Sequence, residues 1–475
     1  MSASFALGRL SNRQPEFRTQ QILVLDHSRV RFGPIRPRAT LPPEILGEIF
    51  ICCVEKNAFY PIDPNPEEPP LLFTRVCRWW KEVALSTPAL WNSLSLDFDL
   101  MLKNEASVVM YQNWLSRAQS TLLSLSLVDI DEREVPPGPV ASLLRTMVGM
   151  SHRWQSINLD LGQDVVKFLF PIKGTFPVLE RLALSVHRSD IPTFICDAPK
   201  LRKLYVNTYA PQIQVPWCQL TSLRVGDIDL LWCLHILRDS SNLLKATVEM
   251  RCDPVALPNV IVEHSYLQNL AFGVSLLGPL EDKNTPMPIL GCLKTPALKS
   301  LTLEFLDRSE DNHTGPIAPF LSFLSRPSIR LHTLGLSCMP VLMDDLLQCL
   351  QAVPSLVQLR LRPILNVVNL DPLFSRLTGQ SDFLPQLELF HLVLSLRHTR
   401  EERELPPITM TPSVVVQMLC WRWASSKVPL RSFRLAQPYK VPVGQAIKLD
   451  PEFQRLAAEG MMLYIGERDR SDIFL

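Results

Sequence analysis

Glycine is scarce in this chain, with 17 in 475 residues, and none falls in G-x-x-x-x-G-K or G-x-G-x-x-G order. A phosphate-cradling loop needs those glycines for close backbone approach, so nucleotide chemistry of that kind is not expected. G-x-S-x-G, H-E-x-x-H and a spaced acidic calcium loop are missing too. The eleven cysteines contain no C-x-x-C pair and no ligand-like Cys/His spacing. Adjacent Cys52 and Cys53 would share a helix, where a bridge between them is geometrically implausible, so a reduced cytoplasmic or nuclear setting is expected. Charge of one sign is lacking as well: 48 Lys and Arg against 47 Asp and Glu leave +1. That balance offers no global pull toward nucleic acid or an anionic membrane. No apolar run approaches the roughly 18–20 residues of a membrane helix. One of the longest, Leu230–Leu237, contains His235, which reads as a satisfied, partly buried residue rather than a ligand. The first 30 residues show no apolar signal region. These absences predict a non-enzyme with no catalytic residue, no cofactor and no metal, and with neither nucleic acid nor membrane as partner.

Apolar residues, by contrast, make up 47% of the chain and charged residues 20%, enough to bury a substantial core. The 41 prolines are spread along it, which predicts many short elements with hard stops. Residues 1–38 stand apart as an Arg-rich tail. Arg9, Arg13, Arg18, Arg29, Arg31, Arg36 and Arg38 outweigh Glu16 and Asp26, while Pro15 and Glu16 interrupt any amphipathic targeting helix. A solvated tail is the expectation there.

From Trp91 onward, apolar residues recur at positions 1, 4, 6 and often 8 of short segments, the pattern of a strand with one buried face. The segments begin at Trp91, Leu122, Trp154, Leu179, Leu201, Leu220, Leu243, Leu267, Leu298, Leu331, Leu356, Leu387 and Leu430. Helix-like stretches precede several of them: Val140–Val148, Pro319–Leu324, Leu342–Ala352 and Val414–Trp423. A short helix from Asp450-Pro451 to Glu459, a stop at Gly460 and a terminal strand Met461–Ile465 close the series. Helix and strand in alternation predict an α/β solenoid over residues 92–466, with parallel strands on a concave face and helices on a convex one. Residues 467–475 follow as a polar tail. Polar breaks at Glu281–Pro288, Asp307–Pro316 and Arg397–Pro407 read as loops. Between the inward residues of each strand, the others should face outward. Tyr205, Arg224, Glu304, Arg360, Arg362, His391 and Arg434 are the candidates there for holding a partner protein. Arg360 and Arg362, two apart on one strand, are placed to grip an acidic or phosphorylated group.

Residues 39–91 form a separate helical module. Leu41, Ile45, Leu46, Ile49 and Phe50 recur at helical spacing, with Pro42, Pro43 and Glu44 suited to a first turn. Val76, Trp79, Trp80, Val83 and Ala84 mark a second helix. The stripes are too wide for two short helices to hide alone, so part of this surface should dock elsewhere. The spaced elements Leu41-Pro42-x-Glu44-Ile45-Leu46-x-x-Ile49-Phe50, Val76-Cys77-Arg78-x-Trp80 and Pro88-x-Leu90-Trp91 resemble an F-box, in the form common in fungal F-box families. The Pro-rich insert at 60–70 departs from that pattern. The later segments resemble leucine-rich repeats, L-x-x-L-x-L. The usual Asn or Cys after the last Leu is replaced by His187, Tyr209, Ile228, Leu306 and Ile364, so an irregular horseshoe is expected.

This resemblance implies a substrate-recognition subunit of a Skp–cullin–F-box ubiquitin ligase. Leu41, Pro42, Glu44, Ile45, Leu46, Ile49, Phe50, Val76, Cys77 and Trp80 would dock a Skp-type adaptor, and the solenoid would bind an unknown target protein. The alternative is a leucine-rich-repeat interaction scaffold unconnected with ubiquitination.

Overall fold

The computed structural model describes residues 41–54, 61–128, 138–161, 176–186, 194–207, 213–251, 260–275, 287–305, 317–338, 341–362, 369–379, 382–394, 409–424, 427–437 and 442–467. The Arg-rich tail, most of the three polar breaks, and residues 468–475 lie outside them. So do four of the five positions at which the repeat pattern departs; the fifth, Ile228, is a buried strand end.

Three helices come first: α1 (Pro43–Cys53), α2 (Phe73–Val76) and α3 (Arg78–Ser86). Strands follow as β1 (Ser93–Asp97), β2 (Leu123–Val128), β3 (Trp154–Leu161), β4 (Arg181–Val186), β5 (Phe194–Ile195), β6 (Lys203–Asn207), β7 (Ile213–Gln214), β8 (Ser222–Ile228) and β9 (Lys245–Arg251). Then come β10 (Val262–Glu263), β11 (Asn269–Ser275), β12 (Leu293–Lys294), β13 (Ser300–Phe305), β14 (Thr333–Ser337), β15 (Gln358–Arg362), β16 (Leu389–Val393), β17 (Ser432–Ala436) and β18 (Met462–Gly466). Fourteen of these form one sheet, in the order of the chain, and every pairing is parallel. The other four make two small two-stranded ladders, β5 with β7 and β10 with β12.

Helices fill most crossovers. They are α4 (Phe98–Lys103) and α5 (Glu105–Arg117) after β1, α6 (Pro139–Gly149) after β2, and α7 (Leu230–Asp239) after β8. The later ones are α8 (Met287–Gly291), α9 (Ala318–Leu324), α10 (Met343–Gln351), α11 (Asp371–Leu377), α12 (Pro412–Ala424), α13 (Pro442–Leu449) and α14 (Pro451–Ala458). Each alternating segment of the sequence is a strand of the large sheet, and its 1-4-6 residues face the helices. Leu94, Leu125, Ile157, Leu182, Leu204 and Leu223 stand in one such row, each buried and each paired with the next strand. Fully burying side chains of this size contributes about 1.5–3 kcal/mol each, a gain that a lone strand–helix unit cannot collect. One contiguous core therefore runs from Leu46 to Ile465. This is an α/β chain with a large parallel sheet, compatible with an α/β solenoid.

Both ends of the sheet are finished locally. The outer edge of β1 meets the Pro-rich insert: Ser95 N–H donates to the Ile62 carbonyl at 2.8 Å, and Ile62 N–H donates to Ser93 Oγ at 3.3 Å. An edge so occupied offers less to a stray strand. At the other end, Asp450 caps α14 by accepting from Glu452 N–H at 2.9 Å, and Gly460, at φ +103°, turns the chain into β18. Leu122, read from the sequence as a first apolar position, is exposed; Leu123 takes its place in the core across an irregular register between β2 and β3.

Candidate functional site

Two surfaces carry the sequence candidates. The first is built on α1. Leu46 and Phe50 turn inward, where Phe50 stacks on Phe73 at 4.1 Å between ring centroids and meets Trp80 edge-on at 5.0 Å. Gly47 brings the helix against Thr87, since a Cβ there would sit 3.1 Å from Thr87 Oγ1. Trp91 fixes the three helices to the sheet. Its Nε1–H donates to the Ala84 carbonyl at 2.8 Å and its ring meets Trp114 edge-on at 4.9 Å.

The apolar stripe of α1 is thus divided by packing. Phe50 is 1% exposed, whereas Ile45 is 50% exposed and Leu41 and Ile49 nearly as much. Pro42 and Glu44 lie on the exposed side as well. Val76 and Trp79 add exposed apolar side chains on α2 and α3, next in sequence to the exposed Arg75, Arg78 and Lys81. Two of the residues expected to dock an adaptor are turned inward instead. Leu46 and Phe50 belong to the chain's own core and present nothing to a partner. Trp80, half-buried, closes the aromatic cluster from the outside. Cys77 is exposed and separates α2 from α3, which the sequence had joined as one helix; its Sγ accepts from Trp80 N–H at 3.5 Å and so caps α3.

The second surface is the sheet face turned away from the helices. Its middle row takes one residue from each of the fourteen strands, in register. The first seven are Ser95, Ser126, Asn158, Ala183, Tyr205, Arg224 and Thr247. The remainder are Ala271, Thr302, Gly335, Arg360, His391, Arg434 and Tyr464. No carboxylate occurs among them. Arg224 lies over the Tyr205 ring at 5.4 Å and Arg434 over the Tyr464 ring at 4.1 Å. Such stacking holds a guanidinium flat while leaving its edge able to donate.

The adjacent row holds the acids, and they are already engaged. Glu249 Oε1 accepts from Arg224 at 2.9 Å. Glu304 Oε1 accepts from Arg362 Nη1 at 3.0 Å and from Ser337 Oγ at 3.3 Å. This last pair spans β14, whose Gly335 and Ser337 are small enough to let the two long side chains meet across it. Glu304 and Arg362 are both buried, so they are a structural ion pair and not the expected surface contacts. His391 is also buried, between Arg360 and Arg434 in the register. Arg360 and Arg362 therefore do not act together: Arg362 is spent inside the fold. Tyr205, Arg224, Arg360 and Arg434 keep part of their surface open.

Away from both surfaces, sequence reasoning missed Arg422. Its Nε and both Nη donate to the carbonyls of Leu377, Leu384 and Phe383 at 2.9, 2.9 and 2.6 Å, deep between α11 and α12. Burial pulls its pKa down to about 10. The signal was present: Val415, Leu419 and Arg422 share the buried stripe of α12. His235 departs from expectation in the other direction. It is exposed, with its Nδ1 3.1 Å from Arg238 Nη2.

Burial raises the thiols of Cys196 and Cys349 to about 12, so neither is a thiolate near neutral pH. Among the described residues no group of three His, Cys, Asp or Glu side chains is placed to hold a metal ion, and no helix is long and apolar enough to cross a membrane. No protein-family model matches the chain, and no curated protein matches it.

Proposed function

We propose that this chain is the substrate-recognition subunit of a Skp–cullin–F-box ubiquitin ligase, its amino-terminal helices docking a Skp-type adaptor and its sheet holding a target protein. One observation carries the reading: Leu46 and Phe50 of α1 are kept for the chain's own core, while Leu41, just ahead of α1, and Ile45 and Ile49 on it, each four residues from the next, stay uncovered in the stretch resembling an F-box. An apolar row of this size, beside Val76 and Trp79, is the kind of surface that another polypeptide covers. Each side chain fully buried there is worth about 1.5–3 kcal/mol before the costs of association. The α/β array beyond Trp91 resembles leucine-rich repeats in its L-x-x-L-x-L strands, and its long polar face suits recognition of a protein. Catalysis would then rest on proximity: the array raises the target's effective concentration near a conjugating enzyme carried elsewhere in the complex. The ten described cysteines are all free thiols, in keeping with a cytoplasmic or nuclear place of work.

The test is capture of a purified Skp-type adaptor by the full chain. Leu41→Ala with Ile45→Ala is expected to abolish capture while leaving the melting temperature nearly unchanged, because both side chains are exposed. Equal capture by wild type and double variant removes the docking site. No capture by either leaves the rival, an interaction scaffold that has no ligase.

A further inference from the structure

All fourteen strands of the large sheet run the same way, so the residues that lead into them gather along one rim. From β6 to β15 the runs entering the strands are 199–203, 219–222, 241–245, 265–269, 296–300, 328–333 and 354–358. They hold six Lys and Arg and no Asp or Glu, in a chain whose charges otherwise balance to within +1. Lys200, Arg202, Lys203, Lys245, Lys299 and Arg330 are all exposed. Arg202 donates to the Gln219 carbonyl at 3.0 Å, a neutral acceptor that leaves its charge in place. The side chains of the other five have no hydrogen bond or ion pair among the described residues. The acids that bound this stretch of the rim are already engaged. Glu180, ahead of β4, accepts from Gln155 Nε2 at 3.3 Å, and Glu388, ahead of β16, is paired with Arg431 Nε at 3.2 Å.

Register sets the spacing of the cations. Lys203, Ser222 and Lys245 lie in register on β6, β8 and β9, as do Lys245, Asn269 and Ser300 on β9, β11 and β13. Lys299 stands one position ahead of Ser300. The three lysines thus come from alternate strands, roughly 9–10 Å apart at a strand spacing of about 4.8 Å. A polyproline-II-like chain rises about 3.1 Å per residue with three residues per turn, so every third side chain shares one face at a matching interval. Most of the six cations are lysines, compact point charges strung singly, rather than the converging guanidinium forks that favour phosphate. Tyr266 is the single Phe, Tyr or Trp on these runs, where a nucleic-acid strand would stack on a series.

We infer that this rim, with Lys203, Lys245 and Lys299 at its centre, holds an extended acidic segment of the target that carries a carboxylate at every third residue. The inference rests on the receptor reading and names the chemistry by which its target is held.

The experiment measures binding of fluorescent decapeptides to the full chain by anisotropy at about 0.1 M salt. One peptide carries three glutamates spaced by three positions, a second glutamines at those places and a third phosphoserines; a single-stranded oligouridylate is the last probe. The glutamate peptide is expected to bind about tenfold more tightly than the glutamine peptide, with the margin shrinking as salt rises. Lys203→Gln with Lys245→Gln and Lys299→Gln is expected to erase that margin at an unchanged melting temperature, because all three side chains are exposed. The corresponding Lys→Arg triple variant is expected to keep it, as is Arg376→Gln with Lys448→Gln, which removes exposed cations of α11 and α13. Equal binding of the glutamate and glutamine peptides, or an undiminished margin in the glutamine triple variant, overturns the site. Tighter binding of the phosphoserine peptide or the oligouridylate, lost in that same variant, overturns the carboxylate assignment. Adaptor capture is measured on the same preparations and is expected to be unaffected by the rim substitutions. Failure of the glutamate peptide with capture intact removes the rim site alone; carboxylate-selective binding without any capture by wild type removes the ligase reading and leaves the rim.

Discussion

Arg422 shows how far a single side chain can carry a local structure. Its three donors close three backbone carbonyls between α11 and α12; that of Leu384 also accepts from Leu387 N–H at 3.2 Å, whereas those of Leu377 and Phe383 rely on the guanidinium. Arg422→Leu keeps the apolar stripe continuous but strands the Leu377 and Phe383 carbonyls, at a cost of about 1–3 kcal/mol for each one not rescued by water. A total loss of about 3 kcal/mol or more is expected, read from the urea midpoint; a change below about 1 kcal/mol would show that the carbonyls find other partners. His264 gives a pH signature. It is buried at the end of β10, and burial lowers its pKa, with the Leu237 carbonyl opposing more weakly. The unfolded chain takes up the proton near the ordinary 6.5, above the folded value, so below 6.5 the unfolded state holds more protons. Stability from this group is complete above 6.5 and falls as pH drops toward the folded pKa, by at most about 1.4 kcal/mol per pH unit. His264→Phe is expected to flatten the stability profile between pH 6.5 and 5 relative to wild type. Identical slopes would place the proton uptake on other groups.

Element by element, α1 is the instructive case, because helical periodicity drew one stripe where the fold has two faces. Phe50→Ala should cost about 3–5 kcal/mol, since it empties a ring from the stack with Phe73 and Trp80. Ile49→Ala, one residue away, should stay within about 0.5 kcal/mol and show its effect in adaptor capture. Comparable melting shifts for the two would mean that the exposed face is covered by the chain itself. The strands were easier to read. Their 1-4-6 alternation has period two, and each buried row repeats apolar residues, mostly Leu, Ile or Val with an occasional Phe or Ala, so strand positions from Leu94 to Ile465 follow from local pattern. Helix limits at Val140–Val148 and Val414–Trp423 were legible to within a residue or two for a similar reason, a proline entry and an apolar stripe.

At the scale of the whole molecule, the polar face was visible only as a list of outward positions. Which of them touch depends on register between strands far apart in sequence. Glu304 and Arg362, 58 residues apart, pair across β14 because Gly335 and Ser337 are small, a fact that no window of sequence contains. The same register sets Arg360 beside His391 and Arg434 and removes Arg362 from the candidate site. Alternation of apolar and polar residues, together with proline and capping signals, thus determined the strands of the large sheet, several of the helices, their order and the parallel α/β class, because each depends on residues within a few positions of one another. Tertiary packing alone decided which half of the α1 stripe stays in water and that Arg362 and Arg422 are taken up inside the fold, because burial and pairing depend on neighbours that only the assembled sheet brings within reach.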